Sequence, residues 1–472
     1  MQSSAQVDTN KWNAPSPDHY SFIKYDDNTL THPAYLDSAF KKLYDIKRTH
    51  QGKINIIHIG DSHLQADMMT CVVRNGMHSF FGDAGRGIVF PQQLAGSNAP
   101  HDVHASSNTS WRGNRLTIAE SNIKTGICGF GIESASKDAN IKLHIQNDAG
   151  IKDSFNKLVF FLGKKASTYI ISDSDLKVPA TLATKDNIDT PSLVFTSTNM
   201  LSGFELKRAD TDGNGDFCFY GVSLEKSESA GVLYHTIGVN GAHFDQYNTN
   251  QLFWQQLEAL NGDLFIVSLG TNEAQNQHLN EQTLNGIFQQ FVAHIHQIAP
   301  NATILFTTPA GSYYRAKKPN ASLMTITNAI NHFCESHKIA CWDLYKISGG
   351  KNSAPGFKKN HLLGHDLVHY SEPGYRVQGQ LLLAALAKNY NTYVKAHPYV
   401  APSNKPTPPK KGPQAKTTTL PKAAVKQPNT AKDNVKAKPQ PIPKTPVAVI
   451  PENEEVPVSL PKKSKIKVKY ED

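Results

Sequence analysis

Short apolar runs alternate with segments of helical periodicity in two parts of the chain, about 50–95 and about 230–392. Runs of strand length, each followed by a helical pattern, are typical of a parallel sheet covered by helices. The predicted strands are Ile54–Ile59, Leu233–Ile237, Leu264–Leu269, Ile304–Thr308 and Ile339–Asp343. The predicted helices are Tyr35–His50, Leu64–Phe80, Leu284–Ile298, Ala321–His337 and Pro373–Lys388, the last with Ser371 as its cap. The pattern predicts a doubly wound α/β domain with a parallel five-stranded sheet.

The pattern changes between the first two strands, where the connection is much longer than is usual in such folds. Short β-rich runs such as LVFFLG, STYIIS, SLVFTS and FCFYGVSLE are separated there by clusters of Gly, Asp, Asn and Ser. This punctuation predicts an inserted all-β sandwich over 100–230. Its aromatic residues are candidates for stacking on sugars, so we expect a carbohydrate-binding-like domain. We expect both of its ends to leave the α/β domain near the C-terminal edge of the parallel sheet. The α/β domain then comprises 1–99 and 231–395.

The positive charge of the chain resides in its C-terminal part. Positions 401–472 hold 15 lysines and six acidic residues, whereas the rest of the chain holds 34 basic and 34 acidic residues. Positions 1–400 therefore have no net charge. This argues against a nucleic-acid-binding domain, which should carry its positive charge on the surface of its folded part. The same 72 positions contain 14 of the 27 prolines and one aromatic residue, so we predict a disordered tail over 396–472. The tail is interpreted either as a solvated spacer or as an arm that contacts an anionic polymer or surface.

Polar residues and glycines directly follow the predicted strands. Gly60-Asp61-Ser62-His63 follows the first strand, Gly238–Gly241 the second and Gly270–Glu273 the third, and the loop after the fifth carries Asp366 and His369. Because the carboxyl ends of parallel strands meet at one edge of a sheet, these groups should converge.

The converging groups are those that acyl transfer requires. Ser62 is the candidate nucleophile, His369 the base and Asp366 the carboxylate that orients the base. The N–H of Ser62, the N–H of Gly241 and the side-chain amide of Asn272 are the candidate donors of an oxyanion hole. Each piece alone is also explained as a turn or a surface loop, but four pieces at successive strand ends favour a catalytic site.

The four blocks Gly60-Asp61-Ser62, Gly241, Gly270-x-Asn272 and Asp366-x-x-His369 resemble those of the SGNH or GDSL hydrolases. That resemblance implies an ester hydrolase with a Ser-His-Asp triad, without a cofactor or metal. The segments GDSHLQAD and FGDAGRGIVFP, together with the inserted β-domain, are most similar to the bacterial peptidoglycan O-acetylesterases. The resemblance therefore implies removal of O-acetyl groups from a cell-wall polysaccharide, with peptidoglycan as the first candidate. A polysaccharide O-acetyltransferase, a general carbohydrate acetylesterase and a wall-binding protein on a hydrolase scaffold are the alternatives.

Two other motifs are weighed as metal sites. His361 and His365 are four residues apart, but Gly364 favours a loop and the glutamate of a zincin is missing. Asp210–Phe217 begins like a calcium loop, yet its twelfth position is Gly221, so a hairpin turn explains it as well.

Three further features leave alternatives open. Trp111 either stacks on sugars or fills the sandwich core, and Arg86 is a candidate contact for an anionic substrate group. Cys334 and Cys341 are either bridged or two unpaired core cysteines. The opening residues lack the charged and apolar regions of a signal peptide and resemble the start of a mature exported chain, so a periplasmic or cell-envelope location is the expectation.

Overall fold

The computed structural model describes residues 10–146, 153–163, 168–173, 180–183, 192–209, 216–275 and 279–399. The strands are β1 (Lys53–Gly60), β2 (Asp83–Gly85), β3 (Gly87–Val89), β4 (Val103–Ser106), β5 (Arg112–Arg115), β6 (Phe130–Ser134), β7 (Asn140–Ile145), β8 (Phe155–Leu162), β9 (Thr168–Ser172), β10 (Ala180–Ala183), β11 (Ser192–Leu201), β12 (Gly203–Arg208), β13 (Phe217–Glu225), β14 (Gly231–Gly238), β15 (Leu264–Ser268), β16 (Thr303–Thr307), β17 (Tyr313–Tyr314), β18 (Lys318–Pro319) and β19 (Ala340–Trp342). The helices are α1 (Asp37–Thr49), α2 (Ser62–Gln65), α3 (Thr70–Phe81), α4 (Phe244–Thr249), α5 (Gln251–Leu257), α6 (Thr271–Gln275), α7 (Glu281–Ile298), α8 (Ser322–His337), α9 (Leu344–Ile347), α10 (Ser353–Lys359) and α11 (Glu372–Ala396).

The parallel sheet has the order β19-β16-β15-β1-β14-β2. All five predicted strands are present, which confirms the doubly wound α/β fold. The sheet also has a sixth strand at its edge, β2, which is only three residues long and ends at a glycine, Gly85. So short a strand carries no periodic signal in the sequence.

Helices pack on both faces of this sheet. Ile54 and Ile56 of β1 are buried with residues of α1, α3 and α11, whereas Ile57 and Ile59 are buried with residues of α7 and α8. Alternate residues of one strand therefore serve opposite faces, as the period of two requires. Helix α11 begins as predicted, because the Ser371 hydroxyl accepts the N–H of Gly374 and a proline stands in its first turn.

The single helix predicted over Leu64–Phe80 is wrong in one respect, because the chain forms α2 and α3 with a turn between them. Asp67 in this turn has a φ of 58°, which no helix continues through. Its carboxylate is turned inward, where it accepts hydrogen bonds from Arg74 at 2.9 and 2.7 Å. Because of this break, α2 is a separate short helix that follows β1 directly in the sequence.

Two antiparallel sheets follow the first α/β segment, and they fit the additional β-domain. One sheet has the order β10-β9-β12-β7-β4, and the other has the order β11-β8-β13-β6-β5, with β3 paired to β13. The four apolar runs of the sequence form β8, β9, β11 and β13. Their buried side chains belong to the same continuous core as the α7 and α8 face of the parallel sheet.

Both ends of the insertion were expected near the C-terminal edge of the parallel sheet, and only the first end lies there. The chain leaves along β2 and β3, which run toward the C-terminal edge of the parallel sheet. It returns along β13, antiparallel to β3, and the N–H of Lys226 bonds to Ala84 O beside the start of β14. The return lies at the N-terminal edge because a parallel strand has to begin there.

No helix in the described ranges is long and apolar enough to cross a membrane.

Candidate active site

Ser62 opens α2 immediately after β1 ends. Gly60 lacks room for a side chain, since a Cβ there would lie 2.7 Å from Ser268 O. Asp61 caps the helix, and its carboxylate accepts the N–H of His63 at 2.9 Å. The N–H of Ser62 itself has no acceptor within the described ranges, as is usual for the first turn of a helix.

The structure brings Ser62, His369 and Asp366 together. His369 Nε2 lies 2.7 Å from Ser62 Oγ, and His369 Nδ1 lies 2.6 Å from Asp366 Oδ2. The imidazole therefore connects a hydroxyl to a carboxylate through its two nitrogens. With a proton on Nδ1, the free electron pair of Nε2 faces the Ser62 hydroxyl.

The loop that carries Asp366 and His369 is held by its own backbone. Asp366 Oδ1 accepts the N–H groups of Val368 and His369, both at 2.9 Å. Leu367 has a φ of 59°, and its carbonyl accepts the N–H of Tyr313 at 2.8 Å. These bonds turn both side chains toward α2 across more than 300 residues of sequence.

The contact lowers the pKa of Asp366 and raises that of His369, so that it favours the charged form of each group. The hydrogen bond from His369 holds the pKa of Asp366 well below its usual range. The same hydrogen bond raises the pKa of His369, against the effect of its burial. The pair thus stabilises the imidazolium that forms when a base takes a proton from a serine hydroxyl.

Gly241 lies in the turn after β14, and Asn272 lies in the first turn of α6, directly after β15. Asn272 donates one amide hydrogen to Ala242 O at 2.9 Å, which fixes the loop next to Gly241 and leaves its second amide hydrogen available. Gly241 has a φ of 81°, and its N–H has no acceptor in the described part of the chain. A Cβ at Gly241 would contact Thr117 of the inserted β-domain at 3.9 Å, so this domain lines one side of the glycine.

The sequence pattern did not single out the aromatic groups beside His369. The imidazole of His63 lies 5.3 Å from that of His369, centroid to centroid, and its Nδ1 lies 3.0 Å from the hydroxyl of Tyr375. Tyr370 packs on the same His63 ring at 5.6 Å. Burial lowers the pKa of His63 to about 3, so this ring is neutral at ordinary pH. The only sequence signal was the cluster of aromatic residues close after His369.

Burial also affects Asp61, the residue before the serine. It is 1% exposed, and burial raises its pKa to about 7. A negative charge on Asp61 favours the charged form of His369. Asp61 thus contributes to the electrostatics of the site in addition to capping α2.

Arg86 is buried and paired with carboxylates, which argues against the contact with an anionic substrate group raised from the sequence. It is 6% exposed and forms ion pairs with Asp67 at 3.1 Å and with Asp102 at 2.6 Å. Asp67 also binds Arg74, and although burial alone would raise the pKa of Asp67, the two guanidinium groups lower it to about 2. Arg86 is therefore a structural cation between the turn after α2 and the start of the β-domain.

Trp111 has a structural position as well. Its ring packs edge-on against Phe217 at 5.1 Å, and its Nε1 donates to Ser107 Oγ at 2.8 Å. Cys334 and Cys341 are both free and buried, and His361 and His365 lie in a loop. Asp210 and the next five positions of the calcium-like motif are outside the described residues, so that alternative remains untested.

Comparisons with known proteins indicate a family for part of the chain. Residues 208–377 match the GDSL-like lipase/acylhydrolase family, a range that contains Gly241, Asn272, Asp366 and His369 but not Ser62. No curated protein sequence matches the chain.

Solved structures resemble the chain to different degrees. A structure described as a peptidoglycan O-acetylesterase in action has a TM-score of 0.65 at 20% identity, over 77% of this chain and 99% of that one. A family two carbohydrate esterase from Clostridium thermocellum has a TM-score of 0.28 at 10% identity, over 56% and 95%. A lipase/acylhydrolase from Enterococcus faecalis has a TM-score of 0.27 at 18% identity, over 34% and 77%. The first shares the fold, and the other two scores are too low to support an argument.

The parallel sheet, the four residue blocks at its C-terminal edge and the family match agree with one another. Residues 208–377 match the GDSL-like lipase/acylhydrolase family, which supports a carboxylic ester hydrolase, and the chain shares its fold with a peptidoglycan O-acetylesterase.

Proposed function

We propose that this protein is a serine esterase that removes O-acetyl groups from a cell-wall polysaccharide, with peptidoglycan as its substrate. The observation that carries the proposal is the chain of contacts from Ser62 Oγ through His369 to Asp366, at 2.7 and 2.6 Å. The choice of an acetylated wall polymer is supported by the shared fold with a peptidoglycan O-acetylesterase over most of both chains.

The geometry supports a two-step reaction. Ser62 Oγ attacks the acetyl carbonyl while His369 Nε2 takes its proton, and the sugar leaves with a proton from the imidazolium. The acyl-enzyme then reacts with water, which His369 activates in the same way. Asp366 orients the ring in both steps and stabilises its positive charge.

The negative charge on the carbonyl oxygen needs hydrogen-bond donors. We assign this role to the N–H of Ser62, the N–H of Gly241 and the free amide hydrogen of Asn272. Neither backbone N–H has an acceptor within the described ranges, so neither must break a protein hydrogen bond to bind the oxyanion.

Cell-wall polysaccharide lies outside the cytoplasmic membrane, so the proposal also implies an exported protein at the periplasm or cell envelope. Fractionation of cells that produce the chain from its natural gene tests this location. Recovery in the cytoplasm alone would contradict it.

The experiment for the substrate is acetate release from O-acetylated peptidoglycan, compared with release from acetylated xylan, by the wild type and by Ser62→Ala. We expect release from peptidoglycan to be the faster and to be lost in Ser62→Ala. Equal rates on the two polymers would favour a general carbohydrate acetylesterase. A preference for long acyl chains in aryl esters would instead indicate a lipase.

The same acyl-enzyme can transfer its acetyl group to a sugar hydroxyl instead of water. A parallel assay with an acetyl donor and an unacetylated wall oligosaccharide distinguishes the two reactions. More acetylated sugar than free acetate would identify an O-acetyltransferase. Binding of the polymer without acetate release or transfer would leave only the scaffold alternative.

A further inference from the structure

Gln65, the last residue of α2, has a buried side-chain amide with every polar atom in use. Its Oε1 accepts the backbone N–H of Asn240 at 2.7 Å. Its Nε2 donates to Asn98 O at 2.7 Å and to Ser97 Oγ at 3.0 Å. The side chain is 3% exposed. An amide with this set of neighbours has one orientation, because the oxygen must face the N–H and the nitrogen must face the carbonyl.

The Gln65 contacts join parts of the site that lie far apart in sequence. Ser62 is at the other end of the same four-residue helix, and Asn240 directly precedes Gly241. The backbones of these two parts are in close contact, since a Cβ on Gly238 would lie 2.3 Å from Gln65 N. The side chain of Gln65 thus bridges the element of the nucleophile and the element of a second oxyanion donor.

The other half of the bridge leads toward the inserted β-domain. Ser97 and Asn98 lie between β3 and β4 in the segment that enters this domain. Asn240 adds a parallel contact, as its Nδ2 donates to Asn98 Oδ1 at 3.0 Å. The loop of Gly241 is therefore held from two directions, by α2 and by the start of the insertion.

We propose that Gln65 is a positioning residue for the oxyanion hole: it fixes the loop of Gly241 relative to Ser62. The inference rests on the proposed function, in which the N–H of Gly241 receives negative charge from the substrate. An oxyanion donor stabilises the transition state only within a narrow range of distance from the oxygen. Without its bond to Gln65, the Val239–Asn240 peptide would lose a hydrogen bond that fixes its direction. The next peptide, which carries the N–H of Gly241, would then be held less precisely.

The test compares Gln65→Met with Gln256→Met in the full-length chain. Gln256 is also a fully buried glutamine whose Oε1 accepts a backbone N–H, that of Ile127 at 2.8 Å, but it does not contact the site. Hydrolysis of 4-nitrophenyl acetate gives kcat and KM, and inhibition by phenylboronic acid reports the tetrahedral adduct on Ser62. Thermal midpoints show how far each variant is destabilised.

We expect Gln65→Met to lower kcat roughly ten- to a hundred-fold, less than the loss of a whole oxyanion donor, with KM within about threefold. Inhibition by the boronic acid should weaken by about the same factor as kcat. Gln256→Met should lose stability with little change in kcat. If Gln65→Met does not fold, Gln65→Asn keeps the amide one methylene too short for both partners, and its losses should have the same direction.

A folded Gln65 variant with kcat within threefold of the wild type would overturn the inference. Unchanged inhibition by the boronic acid would also overturn it. A fall in kcat without weaker binding of the tetrahedral adduct would show that the oxyanion hole is intact. An inactive wild type on 4-nitrophenyl acetate would instead refute the proposed function, together with this inference. The two failures are therefore distinguishable.

Discussion

The carboxylate of Asp366 contacts His369 at two points, with Oδ2 2.6 Å from Nδ1 and Oδ1 accepting the backbone N–H at 2.9 Å. Asp366→Asn leaves an amide that places either a hydrogen or an oxygen at Nδ1, and the hydrogen favours the wrong tautomer. We expect kcat/KM for 4-nitrophenyl acetate to fall roughly a hundred- to ten-thousand-fold. Ser62→Ala and His369→Ala should lose at least as much, with thermal midpoints close to that of the wild type. Near-normal turnover in Ser62→Ala would refute the mechanism.

The hydrogen bond to Asp366 also predicts the pH dependence of the reaction. It raises the pKa of His369 above its ordinary value of 6.5, and only the neutral imidazole can act as a base. Activity should therefore disappear as the pH falls through a midpoint above 6.5, measured as kcat/KM against pH. In Asp366→Asn the residual activity should have a lower midpoint, and an unchanged midpoint would show that another group limits the rate.

Asp67 should matter chiefly for stability. It is 5% exposed, and in the described part of the chain it is the carboxylate that pairs with Arg74. Arg86 pairs with Asp67 and also with Asp102. Asp67→Ala leaves a buried guanidinium without its carboxylate, so we expect unfolding to become easier by about 3–5 kcal/mol. Asp45→Ala, which removes the exposed ion pair with Lys41, should cost no more than about 1 kcal/mol. Urea unfolding of both variants makes the comparison, and equal losses would contradict the role of the buried pair.

Ile118 offers a test of what the β-domain contributes to substrate choice. It is 48% exposed and directly follows Thr117, the residue beside Gly241. Ile118→Asn should reduce acetate release from polymer several-fold and leave hydrolysis of a small aryl acetate within about twofold, because contacts remote from the acetyl group help to bind a long substrate. Val194→Asn is the control, since Val194 is 49% exposed on β11, at the edge of the sheet opposite β5. Equal loss on both substrates would show that this part of the β-domain belongs to the catalytic machinery.

The lysine-rich tail should be dispensable for catalysis. A chain that ends at position 400 should keep its turnover of 4-nitrophenyl acetate, since all the proposed catalytic groups precede it. If the tail binds an anionic polymer, the shortened chain should sediment less with that polymer, and added salt should weaken binding of the full-length chain. Binding that does not depend on salt would exclude an electrostatic tether.

Strand ends and the order of residue blocks were sufficient to predict where Ser62 and His369 would meet. Parallel strands bring their carboxyl ends to one edge. Ser62 directly follows the end of β1, whereas His369 comes after β19 with α9 and α10 between them. The turn at Asp67 could not be predicted in this way, because the ion pairs of its buried carboxylate with Arg74 and Arg86 are formed only in the folded chain. The role of Gln65 was equally hidden, since its partners at Ser97, Asn98 and Asn240 lie on segments whose proximity only the fold determines.

The position of β1 in the parallel sheet has a consequence for synthesis of the protein. Its two neighbours, β14 and β15, both come after the inserted β-domain, and Lys53 pairs with Gly231. During translation the apolar segment KINIIHIG therefore stays unpaired while well over a hundred further residues are synthesised, because only then does either neighbouring strand leave the ribosome. Pairing over such a sequence distance is slow, and an unpaired strand attracts other chains. We expect refolding from denaturant to be slow and yields to fall with protein concentration, with recovery improved by chaperones that hold unfolded chains apart.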